Sequence, residues 1–205
     1  MVTFAMLTDD KLRVRGPRQG QWTRADWEML PHGDGNRYEI IEGYLYVSTS
    51  PSLFHNWVIR NLDARVGVPA ERKGLGFCGT IEVGVFMPGA QPVQPDFFFV
   101  RADRVGIMHD RHVNGVPDLI VEVVSPGNRA HDLETKFLAY EQAGVPEYGI
   151  ADALVRQLKV YRLSDDGRYG EAQTLSGDDT FAFACLPDIV FRVGDLFDGA
   201  PDTTL

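Results

Sequence analysis

Short runs of apolar residues, separated by turns rich in Gly, Pro and Asp, dominate the pattern of this chain. Several runs are rich enough in β-branched and aromatic residues to predict strands. The three expected core strands lie at 77–86, 93–100 and 119–124, two further strands at 147–150 and 157–163, and a last short pair between 173 and 193.

Helical spacing predicts two helices that flank these strands. The first begins at Ser50, because serine caps free amides and the following proline is tolerated in a first turn. It is expected to run to about residue 66, with Leu53 and Val58 on its inner face. Residues 131–143 predict the second helix, and Gly144 is suited to end it in the left-handed conformation.

The segment before these elements predicts a short helix and a hairpin. Thr23 can cap a helix that ends at Pro31. Residues 38–47 are typical of two strands joined by a bend at Glu42-Gly43. Residues 1–20 show little apolar periodicity and are expected to form a flexible arm, which leaves one domain over 21–205.

The central elements follow the order helix, three strands, helix, strand. This order predicts an α/β (α+β) fold with a mixed central sheet flanked by helices, rather than a doubly wound parallel sheet. The hairpin and the last short strands are additions to that core.

Composition is consistent with one globular domain. The chain has 205 residues, of which 44% are hydrophobic, enough for a full core. No apolar run is long enough to span a membrane and no secretory signal opens the chain, so a cytoplasmic location is expected. The two cysteines, Cys78 and Cys185, lack the spacing of a thiolate metal site.

The net charge of −9 is unusual for a protein that binds nucleic acid. From Ser164 onward nine acidic residues face two basic ones, so most of the negative charge lies in the last part of the chain. The remainder is nearly neutral, which excludes broad electrostatic capture of DNA and leaves localised contact open.

Two acidic residues interrupt the apolar runs. Asp96 directly precedes a Phe-rich segment, and Glu122 has aliphatic neighbours on both sides. A carboxylate buried among aliphatic groups costs several kcal/mol unless cations or donors compensate. Asp96 could instead accept backbone hydrogen bonds at its strand start, and Glu122 could face Arg129.

Lys136 is the third candidate, because it lies on the helix face expected to turn toward the sheet. The alternative is a solvated ion pair with Asp132, four residues earlier.

Four other acidic or imidazole side chains are secondary candidates. Asp118 shares a strand face with Glu122 and could reach the same site, although it also fits an ordinary turn. A surface or capping role is the simpler interpretation for Glu39, Glu42 and His55.

Two carboxylates and a lysine have a definite chemical use. Mg²⁺ prefers oxygen ligands, and Asp96, Glu122 and the backbone carbonyl of Val123 could supply them. Lys136 could orient an attacking water or offset charge on phosphoryl oxygens. The set predicts phosphodiester hydrolysis with Mg²⁺ or Mn²⁺ as cofactor.

Several segments occur in an order that resembles the Uma-two (Uma2) family of restriction-endonuclease-like domains, within the PD-(D/E)XK nuclease superfamily. They are YEIIEG at 38–43, VQPD at 93–96, PDLIVEVVSP at 117–126, the helical residues Asp132, Lys136 and Tyr140, and AGVPEY at 143–148. The resemblance covers nearly all of the chain after Trp22. It implies a restriction-endonuclease-like core, DNA as the substrate, and a homodimer.

One position departs from the superfamily pattern. The second acid and the lysine usually lie two residues apart on one strand, but Val124 occupies that position after Glu122. The resemblance implies that the following helix supplies the lysine, as Lys136.

Three functions are compatible with the sequence: a Mg²⁺-dependent DNA endonuclease, a catalytically silent nucleic-acid-binding or assembly protein of the same fold, and a small-nucleotide phosphoesterase. Only the first requires a basic track beside the metal site. Arg101, Arg104 and Arg129 are the leading candidates for DNA contact, and Arg60, Arg65 and Arg111 are further ones.

Overall fold

The computed structural model describes residues 14–31, 33–49, 51–80, 83–124 and 131–199, without the side chains of residues 131 and 132. Ser50 and Arg129, both named from the sequence, therefore lie outside the described residues.

The strands within the described ranges are β1 Asn36–Ile41, β2 Tyr44–Thr49, β3 Gly76–Thr80, β4 Gly84–Met87, β5 Ala90–Val93, β6 Phe97–Arg101, β7 His112–Asn114, β8 Leu119–Val124, β9 Glu147–Asp152, β10 Gln157–Arg162, β11 Gln173–Ser176, β12 Thr180–Phe181 and β13 Phe191–Arg192. The helices are α1 Arg24–Glu28, α2 Leu53–Leu62, α3 Val68–Arg72 and α4 Phe137–Ala143. A π-helical turn, Asp63–Gly67, joins α2 to α3, and another, His131–Lys136, leads into α4. Two short 3₁₀ helices cover Ala102–Ile107 and Val193–Leu196.

The central sheet has six strands in the order β11-β10-β9-β8-β6-β3. Strands β8 and β9 run parallel and the other pairs run antiparallel. Together with α2 and α4, strands β3, β6, β8 and β9 form the predicted helix, three strands, helix, strand core. The fold class read from the sequence is therefore confirmed.

A second sheet, in the order β2-β1-β5-β4-β7, covers one face of the central sheet. Side chains alternate along β6 and β8, so Phe98 and Ile120 face this second sheet and α4. Phe97, Phe99 and Val121 face the opposite way, toward α2 and the C-terminal segments. Both faces of the central strands are thus buried, which explains their continuous apolar runs.

The two long apolar runs behave differently from the prediction. Residues 77–86 and 93–100 were each expected to form one core strand, but each contributes to both sheets. An apolar run predicts burial, but the sequence of a buried strand does not indicate which of two sheets the strand joins. The division between the sheets therefore depends on pairing between distant segments.

The first long helix starts later than predicted, and α2 itself ends at Leu62, before the predicted end near residue 66. The π-helical turn and α3 then continue the helical chain to Arg72. Ser52 caps α2 by accepting a hydrogen bond from the His55 amide at 3.2 Å. Leu53, predicted to face inward, is the first residue of this helix and is 70% exposed. Val58 is buried as expected.

Three local predictions are confirmed. Thr23 and Asp26 form a capping box at α1, and Gly144 ends α4 with φ +84°. The bend at Glu42-Gly43 joins β1 to β2, with φ of 52° and 76°.

Residues 14–20, assigned from the sequence to the arm, lie against the hairpin. The Gln19 side chain accepts from the Leu45 amide at 2.7 Å and donates to the Leu45 carbonyl at 3.1 Å. These contacts are between a side chain and the backbone, so the periodicity of apolar residues does not predict them. None of the helices in the described ranges is long and apolar enough to cross a membrane.

Candidate active site

Asp96 and Glu122 come together where β6 begins beside β8. The antiparallel register pairs Phe97 with Val121, and one further step sets Asp96 opposite Glu122. Both residues are buried, at 1% and 0% exposure. The strand pairing therefore brings two acidic residues, 26 positions apart in sequence, into one site.

Two side chains and one backbone amide surround the Asp96 carboxylate. Its Oδ1 accepts from Arg37 Nη1 and Nη2 at 3.0 and 3.1 Å and lies 3.1 Å from His55 Nε2. Its Oδ2 accepts from the Val123 amide at 2.9 Å. Burial alone would raise the pKa of Asp96, but His55, Arg37 and Lys136 hold it well below its usual value.

Glu122 is held by two residues from the second helical region. Lys136 Nζ and the Tyr140 hydroxyl donate to its Oε1 at 3.1 and 2.6 Å. Burial, with the nearby Glu122 and Glu39 carboxylates, raises the pKa of Tyr140 well above its usual value. Tyr140 therefore stays a neutral donor to Glu122.

Lys136 also contacts a third carboxylate. Its Nζ lies 3.1 Å from Glu39 Oε1, and that oxygen accepts from the Gln94 amide at 2.7 Å. Lys136 is 1% exposed, so the alternative of a solvated helix face is wrong. The lysine instead lies between Glu39 on β1 and Glu122 on β8.

The structural roles considered as alternatives for Asp96 and Glu122 differ in how they compare with the observed contacts. Asp96 does accept a backbone hydrogen bond, as its structural interpretation proposed, but it also contacts two cationic or imidazole groups. The Arg129 alternative for Glu122 lies outside the described residues. Glu122 is already compensated by Lys136 and Tyr140.

The secondary candidates divide into two groups. His55 and Glu39, for which a surface or capping role seemed simpler, are buried in the site. Asp118 lies at the opposite end of β8, where it accepts from the Arg101 amide at 3.0 Å and Arg104 Nη1 at 2.8 Å. Glu42 lines a separate cavity of about 430 Å³ between the hairpin and α4.

Arg37 is the member of the site that sequence reasoning missed. Alternation along β1 puts Arg37 and Glu39 on one face and the core residues Tyr38 and Ile40 on the other. The available signal was a charged residue just before the predicted hairpin, two positions from Glu39 within it. Without a partner strand, that signal is identical to an ordinary solvated face.

The arginines considered for DNA contact are mostly engaged with acids. Arg65, Arg101, Arg104 and Arg111 each lie within 4.0 Å of an aspartate carboxylate. Arg60 lies 3.8 Å above the Trp57 ring. A phosphate would therefore have to compete with an aspartate for four of these five arginines.

A divalent ion fits this site by donor chemistry. The Asp96 and Glu122 carboxylates and the Val123 carbonyl are oxygen donors of the kind that Mg²⁺ and Mn²⁺ prefer. Across the part of the chain that the structure describes, no three His, Cys, Asp or Glu side chains are arranged as a finished metal centre. The carboxylates are engaged by Arg37, His55 and Lys136 instead.

The fold and the buried carboxylate pair define a restriction-endonuclease-like domain. A crystal structure of a putative nuclease belonging to DUF820, from Anabaena variabilis ATCC 29413, matches with a TM-score of 0.71 at 16% identity, over 85% of this chain and 97% of that one. A family model described as "Putative restriction endonuclease" matches residues 24–194. The chain belongs to this family, Uma2.

A curated relative carries a different name. A hydroxyacylglutathione hydrolase from Vibrio parahaemolyticus serotype O3:K6 (strain RIMD 2210633) is 26% identical over an alignment of 165 residues that covers 77% of this chain. The match spans 57% of that protein's length.

Proposed function

We propose that the chain is a metal-dependent endonuclease that hydrolyses phosphodiester bonds in DNA. The observation that carries this proposal is the meeting of Asp96 and Glu122 on neighbouring strands, with Lys136 at 3.1 Å from Glu122. Membership in a family described as restriction endonucleases supports the choice of substrate class.

Each residue has a role that its contacts support. Asp96, Glu122 and the Val123 carbonyl would hold Mg²⁺ or Mn²⁺, which when bound polarises a phosphodiester and lowers the pKa of a water. Lys136 lies between Glu39 and Glu122, and its ammonium can donate to the attacking water or to a phosphoryl oxygen. Tyr140 and His55 fix the orientation of the two carboxylates.

Cleavage of supercoiled DNA with Mg²⁺ or Mn²⁺ tests this proposal. Asp96→Asn, Glu122→Gln and Lys136→Met should each lower the cleavage rate at least about 100-fold, because each removes a ligand or a proton donor. Glu141→Gln is the matched control, since Glu141 is a buried acid whose partners, Arg168 and the Tyr169 amide, lie outside the site. It should cleave at the wild-type rate.

A second candidate is a catalytically silent nucleic-acid-binding or assembly protein of the same fold. One observation favours it: both oxygens of Asp96 are already engaged by protein donors. Cleavage that survives in the Asp96 and Glu122 variants, or a wild type that cuts no DNA with either metal, would favour this candidate over the nuclease.

A further inference from the structure

Arg37 covers the carboxylate oxygen that a metal ion would need. Both of its terminal nitrogens point at the same atom, Asp96 Oδ1, at 3.0 and 3.1 Å. The other oxygen of Asp96 is engaged by the Val123 amide. The imidazole of His55 also lies 3.1 Å from Oδ1, so a divalent ion gains room at this oxygen when the guanidinium moves away.

The charge of the site is divided between acidic and basic groups. Glu39, Asp96 and Glu122 face Arg37, Lys136 and the imidazole of His55. A divalent ion adds positive charge to this buried set. Movement of a cation away from Asp96, and arrival of a phosphodiester with its negative charge, would each offset that added charge.

Arg37 and Lys136 differ in their access to solvent. The Arg37 side chain is 15% exposed, whereas that of Lys136 is 2% exposed. Arg37 is therefore the cation at the open side of the site. Its planar guanidinium can bind phosphate through two parallel hydrogen bonds, as it can a carboxylate.

We propose that Arg37 is a resident cation that closes Asp96 in the metal-free protein and transfers to a substrate phosphate when a divalent ion binds. This inference rests on the proposed function, because it assigns Arg37 a place in the same site. Without DNA, the metal ion and Arg37 compete for Asp96. When a substrate phosphate is present, the metal ion and Arg37 act together on it. The high pKa of Arg37, lowered by burial but raised further by the carboxylates of Asp96, Glu39 and Glu122, keeps it charged in both states.

Calorimetric titration with Mn²⁺ alone, without DNA, tests the competition. Arg37→Gln should bind Mn²⁺ at least about tenfold more tightly than the wild type, because Asp96 loses its competing cation. Asp96→Asn should bind more weakly. Arg168→Gln, which removes an exposed arginine that pairs with Glu141 away from the site, should match the wild type.

The affinity for DNA provides a second test, in which Arg37→Gln is expected to weaken binding rather than strengthen it. In a Lys136→Met background, used to prevent cleavage, adding Arg37→Gln should weaken binding of a labelled duplex in Mn²⁺ at least about tenfold. A purely structural arginine would weaken both affinities when removed. If Arg37→Gln does not fold, Arg37→Lys keeps the charge, loses the planar fork, and should shift both affinities in the same directions by less.

The outcomes separate this inference from the proposed function. Asp96-dependent Mn²⁺ binding by the wild type, without tighter binding by Arg37→Gln, overturns the role of Arg37 and leaves the nuclease proposal in place. An unchanged DNA affinity overturns the transfer to phosphate. Failure of the wild type and Arg37→Gln to bind Mn²⁺ overturns both proposals.

Discussion

Lys136 is the residue on which the charge balance of the interior depends. It is nearly inaccessible to solvent and lies 3.1 Å from both Glu39 and Glu122. Buried ion pairs contribute little net stability when intact, but removal of one partner leaves an uncompensated charge. The same side chain that the proposed reaction uses is therefore also needed by the fold.

Replacement of this lysine should destabilise the protein. Lys136→Met is expected to lower the free energy of unfolding by about 3–5 kcal/mol, because two buried carboxylates lose their shared cation. Urea denaturation of the metal-free protein measures this loss. Lys73→Met, at an exposed lysine that donates to the Asp188 carbonyl at 3.0 Å, serves as the control.

The double variant Lys136→Met with Glu122→Gln provides a check on the cause. Removal of one of the two carboxylates should recover part of the lost stability, since the two residues interact directly. A double variant as unstable as the sum of both single variants would contradict this explanation.

At the scale of elements, α4 and its preceding turn deliver Lys136 and Tyr140 to the sheet. The helix ends at Gly144, with φ +84°, and the chain then turns directly into β9. Because β9 pairs with β8, the position of this helix end fixes the helix relative to Glu122. A local backbone conformation thus helps to set the geometry of the site.

The contribution of the left-handed residue at the end of α4 can be tested without disturbing side-chain packing. A Cβ at Gly144 would meet no atom within 4 Å, so Gly144→Ala tests backbone strain alone. The free energy of unfolding should fall by about 1–2 kcal/mol, the cost of a left-handed non-glycine residue. Gly170→Ala, which also meets open space but has no left-handed φ, should leave the thermal midpoint unchanged.

At the scale of the whole molecule, charge limits how the chain can hold DNA. The net charge is −9, and four of the five described candidate arginines lie beside aspartates. A phosphate must compete with these acids for each guanidinium. Affinity for DNA should consequently come from few contacts.

Salt dependence measures the number of those contacts. For a Glu122→Gln variant binding a labelled duplex, log K against log salt should have a slope smaller in magnitude than about 3 between about 50 and 200 mM salt. Fluorescence anisotropy provides the affinities. A slope of about −6 or steeper would mean that a larger basic surface exists than the described arginines provide.

The sequence by itself determined the local structure and the chemical identity of the central groups. The capping box at Thr23, the bend at Glu42-Gly43 and the end of α4 at Gly144 follow from interactions within a few residues. Asp96 and Glu122 could be selected because a charge beside or within an apolar run is costly wherever the run folds. Lys136 could be selected because it lies on the helix face expected to turn toward the sheet.

The tertiary structure alone decided which side chains meet. Arg37 and Glu39 resemble a solvated strand face until β1 packs over the central sheet, and Asp118 resembles Glu122 until the partners at each end of β8 are known. The two long apolar runs likewise divide between sheets only through pairing with distant strands. The spacing of residues along one helix or strand determines the face on which each side chain lies, whereas contacts between elements depend on the packing of the whole chain.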